Sequence, residues 1–251
     1  MTSSSPQIES VDPDYRYDRF TFRLLREDLR FHDGALAAGD VLTFEEMPDS
    51  TGSVVRLGGT GRPLLLVTGS MTCPMTASAM PGLLVLHREL GDRVDFALLG
   101  AREAHPGENY PQPRSQAEVR ERASELRDFY GVPFAVLVDD VDGSLHRRLD
   151  SKPNAAFLFD RAGTLVFRTL WSSDERRLRA AVDAVANGQT PARSESTAMV
   201  RPMVRALGHI DEVVRRGGPS AQRDLRRSAL PMAVAGRLAR PLRRRRRSAA
   251  V

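Results

Sequence analysis

Unbroken apolar runs alternate with amphipathic stretches through the middle of this chain. Leu64-Leu65-Leu66-Val67 is apolar at every position, as expected for a strand buried on both faces. Val94–Leu99, Phe134–Val138, Ala155–Phe159 and Thr164–Arg168 read as further strands. Asp160-Arg161-Ala162-Gly163 joins the last two as a turn. Between them, Pro74–Leu90, Gln116–Tyr130 and Ser173–Ala186 have helical periodicity, and the polar stretch Ala101–Ser115 is a loop. Upstream, Arg19–Phe31 reads as a helical stretch, with apolar Phe20, Phe22, Leu24, Leu25 and Leu29. Ala38-Gly39-Asp40 breaks that pattern, and Val41–Glu45 with Val54–Leu57 reads as a short hairpin.

The order β-α-β-α-β, then a β-hairpin and a helix, predicts a mixed sheet with helices on both faces. That is the order of the thioredoxin fold, so the expected class is α/β, a thioredoxin-like three-layer sandwich. Residues 1–18 are rich in Ser, Pro and Asp and read as a disordered lead-in. The domain is expected over 19–188. The remainder, 189–251, reads as a polar linker (Gln189–Thr197), a helix over Met199–Arg216 and a basic helical tail.

Composition changes this picture at two points. The net charge of +5 is uneven: seven arginines and no acids follow Gly236, so the rest of the chain is slightly acidic. Lys152 is the one lysine. The run Arg243–Arg247 suits an anionic membrane surface, and Leu225, Leu230, Val234 and Leu238 recur near helical spacing beside it. No aromatic residue follows Trp171, so stacking on nucleic-acid bases is unsupported. The polar, acidic start carries no charged-then-apolar leader, which makes the cytoplasm the expected compartment, with peripheral attachment to a membrane as a variant. The histidines are widely spaced, and none pairs with the cysteine at zinc-site spacing. Asp140-Val141-Asp142-Gly143 reads as a plain turn rather than a calcium loop, whose first ligand position would fall on Val138.

The second point is the single cysteine, which excludes an internal disulfide. Cys73 follows the buried strand directly, and Pro74 suits a first helical position. Unpaired N–H groups of that first turn favour the thiolate, and Ser70 and Thr72 are placed to donate further hydrogen bonds. A solvent-reachable thiolate is therefore expected, against the plain alternative of an inert buried cysteine. Pro81 lies eight residues after Cys73, as in thioredoxins, and Thr76 stands where their second cysteine would be. An oxidised Cys73 would have to be returned by an external thiol.

Gly69-Ser70-Met71-Thr72-Cys73-Pro74 resembles the selenocysteine site of iodothyronine deiodinases, with cysteine at the selenocysteine position. Glu103-Ala104-His105-Pro106 matches that family's Glu-Ala-His-Pro segment, and Pro111-Gln112-Pro113-Arg114-Ser115 is similar to its Pro-Gln-His-Arg-Ser. Pro153, ahead of Phe157–Asp160, resembles the corresponding proline of bacterial members. The resemblance runs over about Arg62–Ala186. It implies Cys73 as the attacking atom, Ser70 and Thr72 tuning it, and Glu103 and His105 in a proton relay or substrate contact. It implies no cofactor beyond an external thiol reductant, and a small-molecule substrate. A homodimer stays open. Met71 and Pro113 depart from the family pattern at an auxiliary cysteine and a second histidine. Two alternatives remain: Ser70-x-x-Cys73 also resembles the peroxide site of one-cysteine peroxiredoxins, and the chain could be a non-enzymatic thioredoxin-like binding module.

Overall fold

In a computed structural model, residues 12–43 and 46–248 are described, with 240–248 as backbone alone. In chain order the elements are α1 (Phe22–Asp28), β1 (Glu46–Pro48), β2 (Val54–Arg56), β3 (Leu64–Gly69), α2 (Pro74–Leu90), β4 (Asp95–Gly100), α3 (Gln116–Tyr130) and β5 (Ala135–Val138). They continue as α4 (Ser144–Arg148), β6 (Ala156–Phe159), β7 (Leu165–Thr169), α5 (Glu175–Ala186), β8 (Glu195–Ser196), α6 (Val200–Gly217), α7 (Pro219–Ser228) and α8 (Leu230–Ser248).

The main sheet runs β5-β4-β3-β6-β7-β8. Strand β3 is central, parallel to β4 and antiparallel to β6. The period-two rule sorts its side chains. Leu65 and Val67 face one core with Leu83 and Leu86 of α2, Leu126 of α3 and Val182 of α5. Leu64 and Leu66 face the other, with Met47, Leu145, Leu149 and Phe157. Both faces are dry, which is why β3 has no polar position before Thr68. This is the expected thioredoxin-like sandwich: a mixed sheet with helices on both faces.

Sequence chemistry sets the helix boundaries that position the site. Pro74 opens α2, and Cys73 is its N-cap residue. The Ser115 hydroxyl accepts from the Glu118 N–H to start α3, and Gly131, at φ 61°, ends it in the left-handed conformation. The turn after β5 is the expected plain one. There the Asp139 carboxylate accepts from the N–H groups of Leu145 and His146 and nucleates α4, which the sequence reading missed.

Three expectations need correction. The lead-in over 1–18 lies partly outside the described residues. Within the described part Tyr15 and Arg16 are buried, and the Tyr15 hydroxyl meets His146 Nδ1 at 2.9 Å. The hairpin pairs β1 with β2, so Val54–Arg56 takes part as expected but its partner is Glu46–Pro48. Val41 bridges Thr164, and residues 44–45 of the expected first strand, Val41–Glu45, lie outside the described residues. The third correction concerns 189–251. The linker contributes β8, which pairs in parallel with β7 (Thr169 with Ser196). Helix α6 packs on α2, and Ile210, Val214, Ala221 and Leu225 form one apolar cluster with Phe20 and Leu24. Phe20 of the segment before α1 and Ile210 of α6 thus meet at a cavity beside the beginning of α2. The one lysine is part of the same junction: Lys152 Nζ donates to the Glu27 carbonyl at 2.8 Å and lies 3.4 Å from the Asp150 carboxylate, fully buried.

Candidate active site

The turn Ser70–Thr72 carries the chain from β3 into α2. Its polar side chains are committed to the loop after β4. Glu103 is fully buried, and its carboxylate accepts from the Thr72 N–H at 2.9 Å and from the Thr72 hydroxyl at 2.6 Å. The Thr72 oxygen in turn accepts from the His105 N–H at 3.1 Å, and the Ser70 oxygen from the Ala104 N–H at 3.3 Å. Gln112 clamps Glu103 from behind through its N–H and its carbonyl, each at 2.9 Å. Burial raises the Glu103 pKa, opposed by the bond from the Thr72 hydroxyl and by Arg122. Ser70 and Thr72 therefore brace the turn instead of donating to the sulfur. Glu103, expected in a proton relay, is bonded to this turn and is not among the residues that line the cavity described next.

Cys73 lines a small cavity of about 50 Å³ together with Asp28, His105 and Pro153. Phe20, Trp171 and Met75 supply apolar wall, and Met203, Ile210 and Met232 close it from α6 and α8. The thiol is 2 % exposed. Burial pushes its pKa up to about 11, with the charge on Asp28 acting in the same direction. The Met75 and Thr76 amides and the Thr76 hydroxyl pull the other way, without a formed capping bond at the sulfur. Desolvation of an anion outweighs those partial charges. The expected solvent-reachable thiolate is thus corrected to a covered thiol at the start of a helix. The sequence placed Cys73 on the right element; it could not show the helices that cover it.

His105 does share the site with Cys73. Its ring lies against Phe20, with centroids 4.3 Å apart, and burial lowers its pKa to about 4, so the imidazole is neutral. Its Nδ1 is buried without a hydrogen-bond partner. A buried ring nitrogen without a partner forgoes a hydrogen bond that water would supply.

Asp28 was missed by the sequence reading. It ends α1 inside the stretch expected to be helical, beside the charged Arg26, Glu27 and Arg30, and is nevertheless buried. Burial pushes its carboxyl up to about 7, opposed by Arg102 and Lys152 and reinforced by Glu27 and Asp150. No group of His, Cys, Asp or Glu among the described residues has the arrangement of a metal site.

Fold and site define the class: a thioredoxin-like protein with one thiol at the mouth of α2, roofed by its own C-terminal helices. Two solved structures are similar over most of their length. One is an uncharacterised conserved protein from Geobacillus kaustophilus, with TM-score 0.53 and 20% identity over 63% of this chain and 87% of that one. The other is a hypothetical protein from Sinorhizobium meliloti, with TM-score 0.52 and 22% identity over 66% and 93%. The thioredoxin domain of a thiol-disulfide oxidoreductase from Bacteroides vulgatus aligns with TM-score 0.42 and 17% identity over 53% and 89%. At these identities the first two likenesses concern the fold alone. The sequence matches no protein-family model and no curated protein.

Proposed function

We propose that this protein is a thiol-dependent oxidoreductase in which Cys73 reacts with a small, weakly polar substrate. The observation that carries the reading is that Cys73 and His105 line one cavity, with the His105 Nδ1 buried and without a hydrogen-bond partner. Asp28 is placed there as proton acceptor. A thiol held protonated needs a base at the moment of attack, and a carboxyl with pKa near neutral can take that proton and return it. With no second cysteine in the chain, the oxidised sulfur is reduced by an external thiol.

Two substrate classes fit different observations. The Cys73 and Glu103-Ala104-His105 motifs favour deiodinase-like removal of halogen from an aromatic ring. Cavity size favours a peroxide: about 50 Å³ is well short of the roughly 150 Å³ of an engineered apolar cavity that binds benzene. In the peroxide reaction the sulfur attacks one oxygen, the O–O bond breaks, and the proton passes to the leaving alkoxide or hydroxide. The resulting sulfenic acid is reduced by two thiols, giving a disulfide and water. A ring-bearing substrate requires α6 and α8 to move.

Mass spectrometry of Cys73 after exposure to hydrogen peroxide, an aryl iodide and a disulfide separates these readings. Sulfenic acid formed with turnover of peroxide and added thiol supports the peroxidase form. Iodide release without peroxide turnover supports the deiodinase-like form. A thiol inert to all three, in a folded protein, leaves a binding module and ends the enzyme proposal.

A further inference from the structure

Helix α8 has two apolar faces, and the fold uses one. Met232 reaches the Cys73 cavity, and Gly236 lies against Ile210 so closely that an added Cβ would come within 2.8 Å of the Ile210 Cβ. On the outside stand Leu230 (58 % exposed), Val234 (49 %) and Leu238 (72 %). Each is four residues from the next. At about 100° per residue these three form a stripe roughly 80° wide, centred about 180° from Met232 and Gly236. The stripe is therefore no part of the cap over the cavity, and internal packing leaves it uncovered.

Its surroundings are cationic. Arg226 and Arg227 at the end of α7 and Arg237 beside the stripe are exposed. The sequence adds Arg240 and Arg243–Arg247, and no Asp or Glu follows Asp224. A second copy of the chain would bring the same arginines against these, so like charges oppose self-pairing through this face. Nucleic acid would match the charge but leave the aliphatic stripe in water, and α7 and α8 carry no Phe, Tyr or Trp for stacking on bases. A bilayer with anionic headgroups satisfies both features: apolar side chains enter the headgroup boundary while guanidinium groups meet lipid phosphates.

We propose that α8 docks on an anionic phospholipid bilayer through Leu230, Val234 and Leu238 and the arginines around them, while its opposite face stays on the cap over Cys73. The proposal stands independently of the thiol chemistry. It is tested by co-sedimenting the full chain with vesicles of phosphatidylcholine alone and of phosphatidylcholine with phosphatidylglycerol, at low and high salt. Preference for the anionic vesicles should be at least about tenfold at low salt and shrink at high salt. Val234→Asp with Leu238→Asp removes the stripe and keeps every arginine. Replacing arginines 243–247 with glutamine does the reverse. Each variant should lose about tenfold or more of the binding while keeping its circular dichroism and its covered Cys73 thiol. Equal binding to both vesicle types, no binding to either, or full binding by the stripe variant would overturn the proposal. So would a dimer without lipid that the stripe variant abolishes, since the occupant would then be a second copy.

Discussion

Thr72 makes three of the contacts that hold the candidate site, though it never touches the sulfur. Its N–H and hydroxyl both donate to Glu103, and its oxygen accepts from the His105 N–H. Thr72→Val keeps the shape and removes the hydroxyl, leaving a fully buried carboxylate short of a donor. The expected cost is about 2–3 kcal/mol of stability, read from the denaturant midpoint. His105 supplies a pH signature. Its pKa falls from 6.5 to about 4 on folding, so the unfolded chain binds a proton that the folded one refuses. The stability tied to it is full above pH 6.5 and is lost as pH falls through that window. His105→Asn should remove this part of the acid sensitivity, on the order of 3 kcal/mol at most, with the contribution of His146, lowered to about 3, left in place. Cys73 has the opposite profile. Alkylation of the native protein should keep rising towards pH 11 instead of levelling off near the free-cysteine value of about 8.5. A plateau near neutral pH would contradict the covered thiol.

At the scale of elements, the cap over Cys73 depends on how closely the loop after β4 meets the α6–α7 junction. The Asn109 N–H donates to the Gly217 carbonyl at 3.1 Å, and Glu108 accepts from the Ser220 N–H and hydroxyl, which draws the Glu108 pKa down to about 2. A Cβ on Gly217 would lie 2.6 Å from the His105 carbonyl oxygen. Gly217→Ala should therefore loosen the cap and speed Cys73 alkylation at neutral pH, with little change at the sheet, as hydrogen exchange would report. Elements with local signals were legible in sequence. Pro74 and Gly91 bound α2, Ser115 and Gly131 bound α3, and both helices lie where the pattern put them. Elements specified by distant partners were not. β8 is two residues long and exists only because β7 offers an edge. The segment 12–18 reads as polar lead-in because nothing nearby announces that Tyr15 will find His146. Cys73, His105 and Pro153, expected from motif and position, line one cavity; Asp28, which shares it, carries no local signal, because its cavity neighbours are spread from Phe20 to Met232.

For the whole molecule, α1, α6 and α7 form one structure with the sheet domain between them. Ile210 packs with Phe20 and Leu24 from the opposite end of the sequence and also walls the thiol cavity. Ile210→Ala should cost about 2–5 kcal/mol and enlarge that cavity, so that a small aromatic compound raises the melting temperature of the variant more than that of the parent. Without that difference, the space beneath α6 would not be continuous with a ligand site. No helix among the described residues is long and apolar enough to cross a membrane.

The burial of Lys152 bears on how this protein can be handled and marked. It is the one lysine in the chain, and its amine is held inside by the Glu27 carbonyl and Asp150. Acylating reagents, lysine-directed cross-linkers and enzymes that acetylate or attach a modifier to ε-amines find no lysine target on the folded surface. Acylation of residue 152 by a succinimidyl ester would therefore report unfolding, with little reaction under native conditions and prompt reaction in denaturant.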